Sequence, residues 1–542
     1  MPQNRRLILA HLWVAFTVFV AAAALGVWQM WARSPLSTPA AIPAATYYQS
    51  VTAHGVSMAY VLTTFFIMGF GYFVAETALK RELPGKAWAW AAYFVALAGV
   101  AMTVLSIASG QATVLYTFYP PLTATPWFYV GLVLVVVASW VWCVLMLVAM
   151  ARFKRDNPGA PTPLVMYATC ANAVLWLWTT VGVAAEVLFQ ILPAALGLTQ
   201  TIDVGLSRTL FSWTLHPIVY FWLLPAYTAF YTMAPRAAGG RLYSDLMGRL
   251  SFMLLIIYSI PVGIHHLFMD PEHSTGFKFI QTTLTALVTV PTLLTVFTIA
   301  ASMELAGRLK GGKGLFGWIA ALPWDRPMML ATGLAFCMLW FGGGGGLINM
   351  SYGMNAMIHN TSWVTAHFHL IFGGSVVIMY FAIAYEIWPS LTGHEAQSAA
   401  RQRLQLWMWT IGMMTMSLPW HYLGLQGQWR RVASFDYSDP RIHGWGPWVD
   451  VSLVGGVILL LSALLFIANL RPTRRLPRIE PAPGYAYALP AHPHTHVPAA
   501  LNGFALWNVL IAALMVVAYG FPIMQFFMTP SPQAMVHRLG GG

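Results

Sequence analysis

Thr214-Leu215-His216-Pro217-Ile218-Val219-Tyr220 lies in the middle of an apolar stretch running from about Leu206 to Met233. As a helix, this stretch is long enough to cross a bilayer and sets an imidazole and a phenol one turn apart on one face. Unsatisfied polar groups are costly in lipid, so both side chains need partners. A lone histidine there is usually a hydrogen-bonded structural residue. This one has company. His54, the adjacent pair His265 and His266, and the alternating pair His367 and His369 occupy three further apolar stretches. Six such imidazoles exceed what packing requires and suit two or three metal centres.

Working outward, the whole 542-residue chain fits a membrane setting: 58% of it is hydrophobic and only 8% charged, which marks a polytopic membrane protein. Apolar runs occur near 8–31, 47–78, 87–111, 126–151, 164–192, 205–233, 250–270, 275–306, 327–350, 360–389, 404–426, 449–470 and 502–527. They predict an all-α bundle of about thirteen transmembrane helices, forming a single membrane domain over 1–542 with no sizeable soluble part. The first run is too long for a signal-peptide core and reads as a retained helix. Gly342 to Gly346 leave the backbone bare, as a kink or close packing against a flat cofactor would require. The segment 471–501 is rich in Pro and His and reads as a loop, with His492, His494 and His496 solvated. Cys143, Cys170 and Cys337 stand far apart inside apolar runs and read as small buried hydrophobes, which excludes a disulfide framework.

The formal charge of +12 would suggest nucleic acid or another anionic partner in a soluble protein, but topology absorbs it. With the N-terminus in the cytoplasm, 21 of the 28 Lys and Arg fall inside, Arg474 among them. Arg33, Arg208, Lys278, Arg430, Arg431, Arg441 and Arg538 stay outside. At ~1.5 Å per residue, all six histidines then land in the outer half of the bilayer, His54 roughly 10 Å below the surface.

Side chains two residues apart on a helix diverge by about 200°, so His367 and His369 serve different metals. His54 and one of that pair suit a six-coordinate, low-spin haem, and the other member suits a five-coordinate haem with an open face. His216, His265 and His266 give three neutral imidazoles, a set suited to copper. Adjacent His265 and His266 diverge by about 100° in a regular helix and need local distortion, or ligation through different ring nitrogens, to share one ion.

These residues, HPIVY at 216–220, HH at 265–266, HFHL at 367–370, His54 and HYLGLQGQWRR at 421–431, resemble subunit I of the haem–copper oxygen reductases. The resemblance covers the membrane part of the chain. It implies that His54 and His369 ligate the low-spin haem, His367 the high-spin haem, and His216, His265 and His266 one copper ion, with a covalent bond joining His216 and Tyr220. Ile218 stands where the best-known branch has Glu, and with thirteen helices this is similar to the B family, the ba-type oxidases, with a low-spin b-type and a high-spin a-type haem. Asn355 replaces a usual acidic residue near the haem propionates, leaving His359 as the candidate there. A prokaryotic inner membrane is the implied location.

The resemblance further implies a terminal oxidase of the cytochrome c oxidase type, reducing O2 to water and translocating protons. Its proton path, similar to the K-type channel, would run along Tyr220, Tyr227, Tyr231, Thr295, Thr298 and Ser244. Arg430 and Arg431 would hold haem propionates, where a guanidinium binds a carboxylate bidentately. Glu186 is an intramembrane carboxylate and so a functional candidate without an assigned partner. The implied partners are a subunit II with a dinuclear copper centre, a further small subunit, and soluble cytochrome c or cupredoxin as donor. Two other readings compete. A related nitric oxide reductase would generally lack Tyr220, and a transporter using the histidines as a proton relay would show no haem absorbance.

Overall fold

The computed structural model describes residues 2–37, 42–471, 475–481, 483–493 and 496–529, with the backbone alone of 536–538. Arg474, His494 and the side chain of Arg538 lie outside the described residues. The main helical segments of the described residues are α1 (Arg5–Ala32), α2 (Ala44–Leu79), α3 (Lys86–Ala108), α4 (Pro126–Asp156), α5 (Leu164–Ala195), α6 (Val204–Leu215), α7 (Pro217–Thr232), α8 (Asp245–Leu267), α9 (Thr275–Leu309), α10 (Pro327–Met350), α11 (Ser362–Thr392), α12 (Ala399–Leu425), α13 (His443–Leu470) and α14 (Ala505–Met528). Thr201–Asp203 (β1) and Val536–Arg538 (β2) pair as a short antiparallel ribbon.

Among the described residues, eleven helices are long and apolar enough to cross a membrane. The helix expected over 205–233 is instead two, α6 and α7, because Pro217 lacks an N–H and opens a new helix as its first residue. α12 has the length, 27 residues, but carries Arg401, Gln402, Arg403 and Gln405 in its first turns.

Of these eleven, three are the most buried: the most apolar window is 94% buried in α2, 89% in α11 and 78% in α8, against 28% in α9 and α14. These three carry His54, His367 with His369, and His265 with His266, so the ligand-bearing helices are the ones the others wrap. In lipid, close approach of helices depends on small residues. A Cβ on Gly99 of α3 would lie 2.5 Å from the Gly131 carbonyl of α4, and one on Gly412 of α12 would lie 3.0 Å from the Gly455 carbonyl of α13.

The segment after α13, expected as a solvated loop, is a packed strap on the face where α1 begins. Ala488 N–H donates to Thr232 at 2.7 Å and Ala491 N–H to Leu242 at 2.7 Å. His492 and His496 are exposed beside it, as expected.

Candidate metal and cofactor site

A cavity of about 1420 Å³ runs through the inner helices and is lined by all six histidines. Small-molecule pockets usually measure ~300–1,000 Å³, so this one has room for more than one large flat group.

His54 and His369 face each other with ring centroids 6.4 Å apart and planes only 20° from parallel. His54 Nδ1 lies 2.8 Å from the Ala22 carbonyl and His369 Nδ1 lies 2.8 Å from the Thr365 carbonyl. A carbonyl only accepts, so each Nδ1 carries the proton and each Nε2 keeps its lone pair. Two metal–nitrogen bonds of ~2.0–2.1 Å, plus the distance from each nitrogen to its ring centre, fill that gap. The pair fits a bis-imidazole haem iron.

His216 caps the end of α6 and the start of α7. α8 is regular only to Ser259; Pro261 then interrupts it, and Ile264–Leu267 forms a 3₁₀ turn. That turn supplies the local distortion. It sets the rings of His265 and His266 4.2 Å apart, with His216 at 4.4 Å from the first and 5.7 Å from the second. One nitrogen from each lies within 4.8 Å of the other two. Nitrogens sharing one ion at ~2.0–2.1 Å lie at most about 4.2 Å apart, so a sub-ångström ring adjustment closes the set. His265 Nδ1 lies 3.2 Å from Thr285 Oγ1, whose own proton goes to the Gln281 carbonyl, so Nδ1 is protonated and Nε2 is free. His216 Nε2 is buried without a hydrogen-bond partner. Three neutral imidazoles and no carboxylate fit copper.

His367 points away from His369, as the helical angle demands. Its ring stacks on Trp363 at 5.9 Å, while His369 meets Trp420 at 5.3 Å. A π-helical stretch begins at His369 and runs to Val376, and another follows His54 over Ser57–Leu62; such bulges recur at functional sites. The glycine run is unkinked helix. Gly345 abuts the His367 ring, where a Cβ would lie 2.5 Å from Nδ1, while Gly343 and Gly344 face open space beside the cavity. The bare backbone fits a flat group held by His367.

Tyr220 lies one turn beyond His216, ring centroids 5.1 Å apart. Tyr227 also lines the cavity. Tyr231 donates to Thr295 Oγ1 at 3.1 Å, and Ser251 Oγ lies 2.6 Å from the same oxygen. Thr298 follows one turn on, bonded to by Ser302. The structure thus joins Tyr231 and Thr295 to a hydroxyl the sequence did not flag, Ser251, and places a second, Ser302, against the Thr298 backbone carbonyl. Ser244 stands in the loop before α8 and caps that helix, accepting from Met247 N–H at 3.3 Å.

At the opposite end of the cavity, Arg430 and Arg431 both line it, with Arg430 Nη2 donating to Asn360 Oδ1 at 3.0 Å. Among the described residues neither guanidinium meets a carboxylate. Burial and the neighbouring Arg431 hold the Arg430 guanidinium below its ordinary value, and an anion between them would relieve that cost. His359 lines the same end and is lowered to about 4 by burial and Arg430. Asn355 turns from the cavity, its Nδ2 donating to the Asn349 carbonyl at 2.8 Å. Glu186 is fully buried and accepts from Ser207 Oγ at 2.6 Å, with Oε2 unpartnered.

Sequence reading also passed over His11, a seventh buried imidazole. Its Nδ1 bonds the Leu7 carbonyl of its own helix at 2.9 Å and its ring sits among Phe65, Tyr72 and Tyr93. It lies outside the cavity and is structural. Nor did sequence show that Leu115, Tyr116 and Tyr119, in the loop after α3, wall the cavity; their only signal was an aromatic-rich linker.

The family model described as Cytochrome C and Quinol oxidase polypeptide I matches residues 6–458. The cytochrome c oxidase subunit 1 of Thermus thermophilus is 39% identical over 490 residues, covering 89% of this chain and 87% of that protein. The heme-copper oxidase subunit I+III of Aeropyrum pernix is 26% identical over 441 residues, 78% of this chain and 51% of that one. A cryo-EM structure of a heme-copper terminal oxidase dimer superposes with a TM-score of 0.91 at 34% identity, over 96% of this chain and 92% of that chain.

Proposed function

The chain belongs to the cytochrome c and quinol oxidase polypeptide I family and is the catalytic subunit of a terminal respiratory oxidase, and from that premise we propose how its residues divide the work. His54 and His369 hold the low-spin haem, taken as b-type. His367 holds the high-spin haem, taken as a-type, and His216, His265 and His266 hold the copper. When bound, these groups carry the electrons and provide the centre at which oxygen is reduced to water. The carbonyls of Ala22 and Thr365 fix the tautomer of the low-spin pair, and Thr285 fixes that of His265. Cys, Asp and Glu are absent from the ligand set, which keeps every ligand neutral.

Tyr220 sits where a phenol can release a proton and an electron toward the dinuclear centre, and a bond to the His216 ring would hold it there. Tyr227, Tyr231, Thr295 and Thr298 carry protons toward it, with Ser251 bridging to Tyr231 through Thr295. Ser244 is the weaker member, being occupied as a helix cap. Arg430 and Arg431 balance haem propionates. The 21-to-7 distribution of basic residues supports a cytoplasmic N-terminus in a prokaryotic inner membrane, with α6–α7 and α12 completing thirteen crossings in the B-family manner. A subunit II bearing a dinuclear copper centre, a further small subunit, and cytochrome c or a cupredoxin complete the electron route.

One observation carries the site assignment: the parallel His54–His369 pair standing in the same cavity as the three-imidazole cluster. Optical spectra of the purified protein, oxidised and reduced, with iron and copper quantified per chain, test it. Two haems, one of them low-spin, and a copper held by this chain are expected. A protein without haem absorbance would return the reading to a transporter.

A further inference from the structure

The strap after α13 meets the polar column at its cytoplasmic end, on the orientation proposed above. Three contacts pin it. Tyr487 Oη lies 2.7 Å from Thr77 Oγ1 of α2. The Tyr485 ring packs on Phe73, centroids 5.7 Å apart, with the Arg236 guanidinium 5.0 Å over its other side. Ala488 N–H then takes the carbonyl of Thr232, the last residue of α7. Beyond that point Leu242 and the strap exchange bonds in both directions, Leu242 N–H to the Leu489 carbonyl at 3.0 Å and Ala491 N–H to the Leu242 carbonyl. The strap therefore fixes both ends of the corner, Thr232 to Leu242, that joins α7 to α8.

That corner holds the foot of the column. The next residue, Tyr243, donates its backbone N–H to Ser302 Oγ at 2.9 Å, and Ser302 donates in turn to the Thr298 carbonyl at 2.7 Å. Ser302 and Thr295 are fully buried, whereas the Tyr243 side chain is 50% exposed. At this corner the exposed Tyr243 and the buried Ser302 hydroxyl are one backbone hydrogen bond apart, and the strap holds the peptide that makes it. α9 presses on the same corner: a Cβ on Gly240 would lie 2.6 Å from Ala306 Cβ. The corner is held between the strap and α9, and has no slack of its own.

We propose that residues 485–491 are a positioning element for proton uptake, with Ala488 and Tyr487 as the positioning residues that seat the Tyr243–Ser302 junction under the column. The inference rests on the proton path proposed above. The backbone N–H groups of Ala488 and Ala491 and the Tyr487 hydroxyl make the anchoring contacts, so the element acts through shape and carries no proton itself.

The test is proton uptake during a single turnover of the fully reduced, purified oxidase complex, followed with a pH dye in three variants. Ala488→Pro deletes one N–H donor without touching a cavity residue, and Tyr487→Phe deletes one hydroxyl. Thr295→Val breaks the column itself. The proposal expects both strap variants to keep the parent's haem spectra and electron transfer to the low-spin haem. Uptake should slow roughly two- to tenfold in Ala488→Pro, the range spanned by losing one hydrogen bond, and less in Tyr487→Phe, with a larger solvent isotope effect in both. If Thr295→Val slows uptake while both strap variants keep the parent's rate, isotope effect and pH profile, the strap proposal is overturned and the path stands. If Thr295→Val is also unchanged, the path reading fails and takes this proposal with it. Altered haem spectra in Tyr487→Phe would make the strap a folding element and overturn the proposal too.

Discussion

Tyr220 is the residue on which the oxidase and nitric oxide reductase readings part. Its ring centre stands 5.1 Å from that of His216, near enough for a side-chain bond after a small rotation. Tyr220→Phe keeps the ring's packing and removes the oxygen, so we expect turnover to fall by orders of magnitude with both haem spectra retained. The peptide carrying His216 should also lose any cross-link mass. Oxygen consumption near the parent's rate would remove Tyr220 from the chemistry. His216→Ala separates the two centres: copper should be lost while the low-spin spectrum, held from α2 and α11, persists. Asp270 is a different kind of residue, outside the membrane-spanning segments. Burial raises its carboxyl to about 6 although the Arg208 guanidinium lies 2.9 Å away. Between about 4 and 6 the folded protein then holds a proton that the unfolded chain has released. Stability from this group therefore falls as pH rises through that window and is level above it. Asp270→Asn should flatten that part of the melting-temperature profile against pH, and an unchanged slope would assign the dependence elsewhere.

α10 shows how an element can be legible in kind but not in detail. Five consecutive glycines announced a bare backbone, and the cavity does run past them, but only the structure shows which of them lack room: Gly342, whose Cβ would meet Ile371 at 2.6 Å, and Gly345. Its Cβ would lie 2.5 Å from His367 Nδ1, and overpacking of this kind typically costs ~1–3 kcal/mol. Gly345→Ala should shift the high-spin haem spectrum and leave the low-spin bands in place, while Gly353→Ala, facing open space, should be silent. Spectra of the two variants side by side decide it. The same division runs through α8 and α11. From spacing alone, His367 and His369 had to face opposite ways and His265 with His266 had to sit in a distortion or use different ring nitrogens, since helical angles are fixed by geometry. That Pro261 would supply the distortion, or that π-helical turns would follow His54 and begin at His369, depends on packing between elements far apart in sequence. Ser251 and Ser302 were illegible for a similar reason. A lone serine in an apolar helix carries no directional signal until its neighbours are in place.

At the scale of the whole molecule, α2, α8, α11 and the α6–α7 junction place the low-spin pair and the histidine cluster in one cavity, and the remaining question is how electrons reach it. All three cysteines lie in helices, Cys143 and Cys170 buried in α4 and α5 and Cys337, expected to be buried, exposed in α10, so the dinuclear copper centre proposed above would take its thiolates from another chain. The structure offers a place for that chain to dock. Trp429 is 57% exposed and Trp448 is 42% exposed, next to the Arg430–Arg431 end of the cavity, and interfaces favour aromatic and Arg residues over the rest of a surface. Trp445, between them in sequence, is buried against Phe435, ring centroids 5.6 Å apart, and supports that loop from beneath. An electron carrier seated there would lie close above the low-spin pair. Co-purification from native membranes, with copper counted per haem, should therefore give three coppers to two haems: one on this chain and two on its partner. Trp429→Ala should slow reduction by the natural donor while leaving turnover with a small artificial reductant intact. A fully active complex containing this chain alone, with one copper to two haems, would show that the donor delivers electrons to the low-spin haem directly.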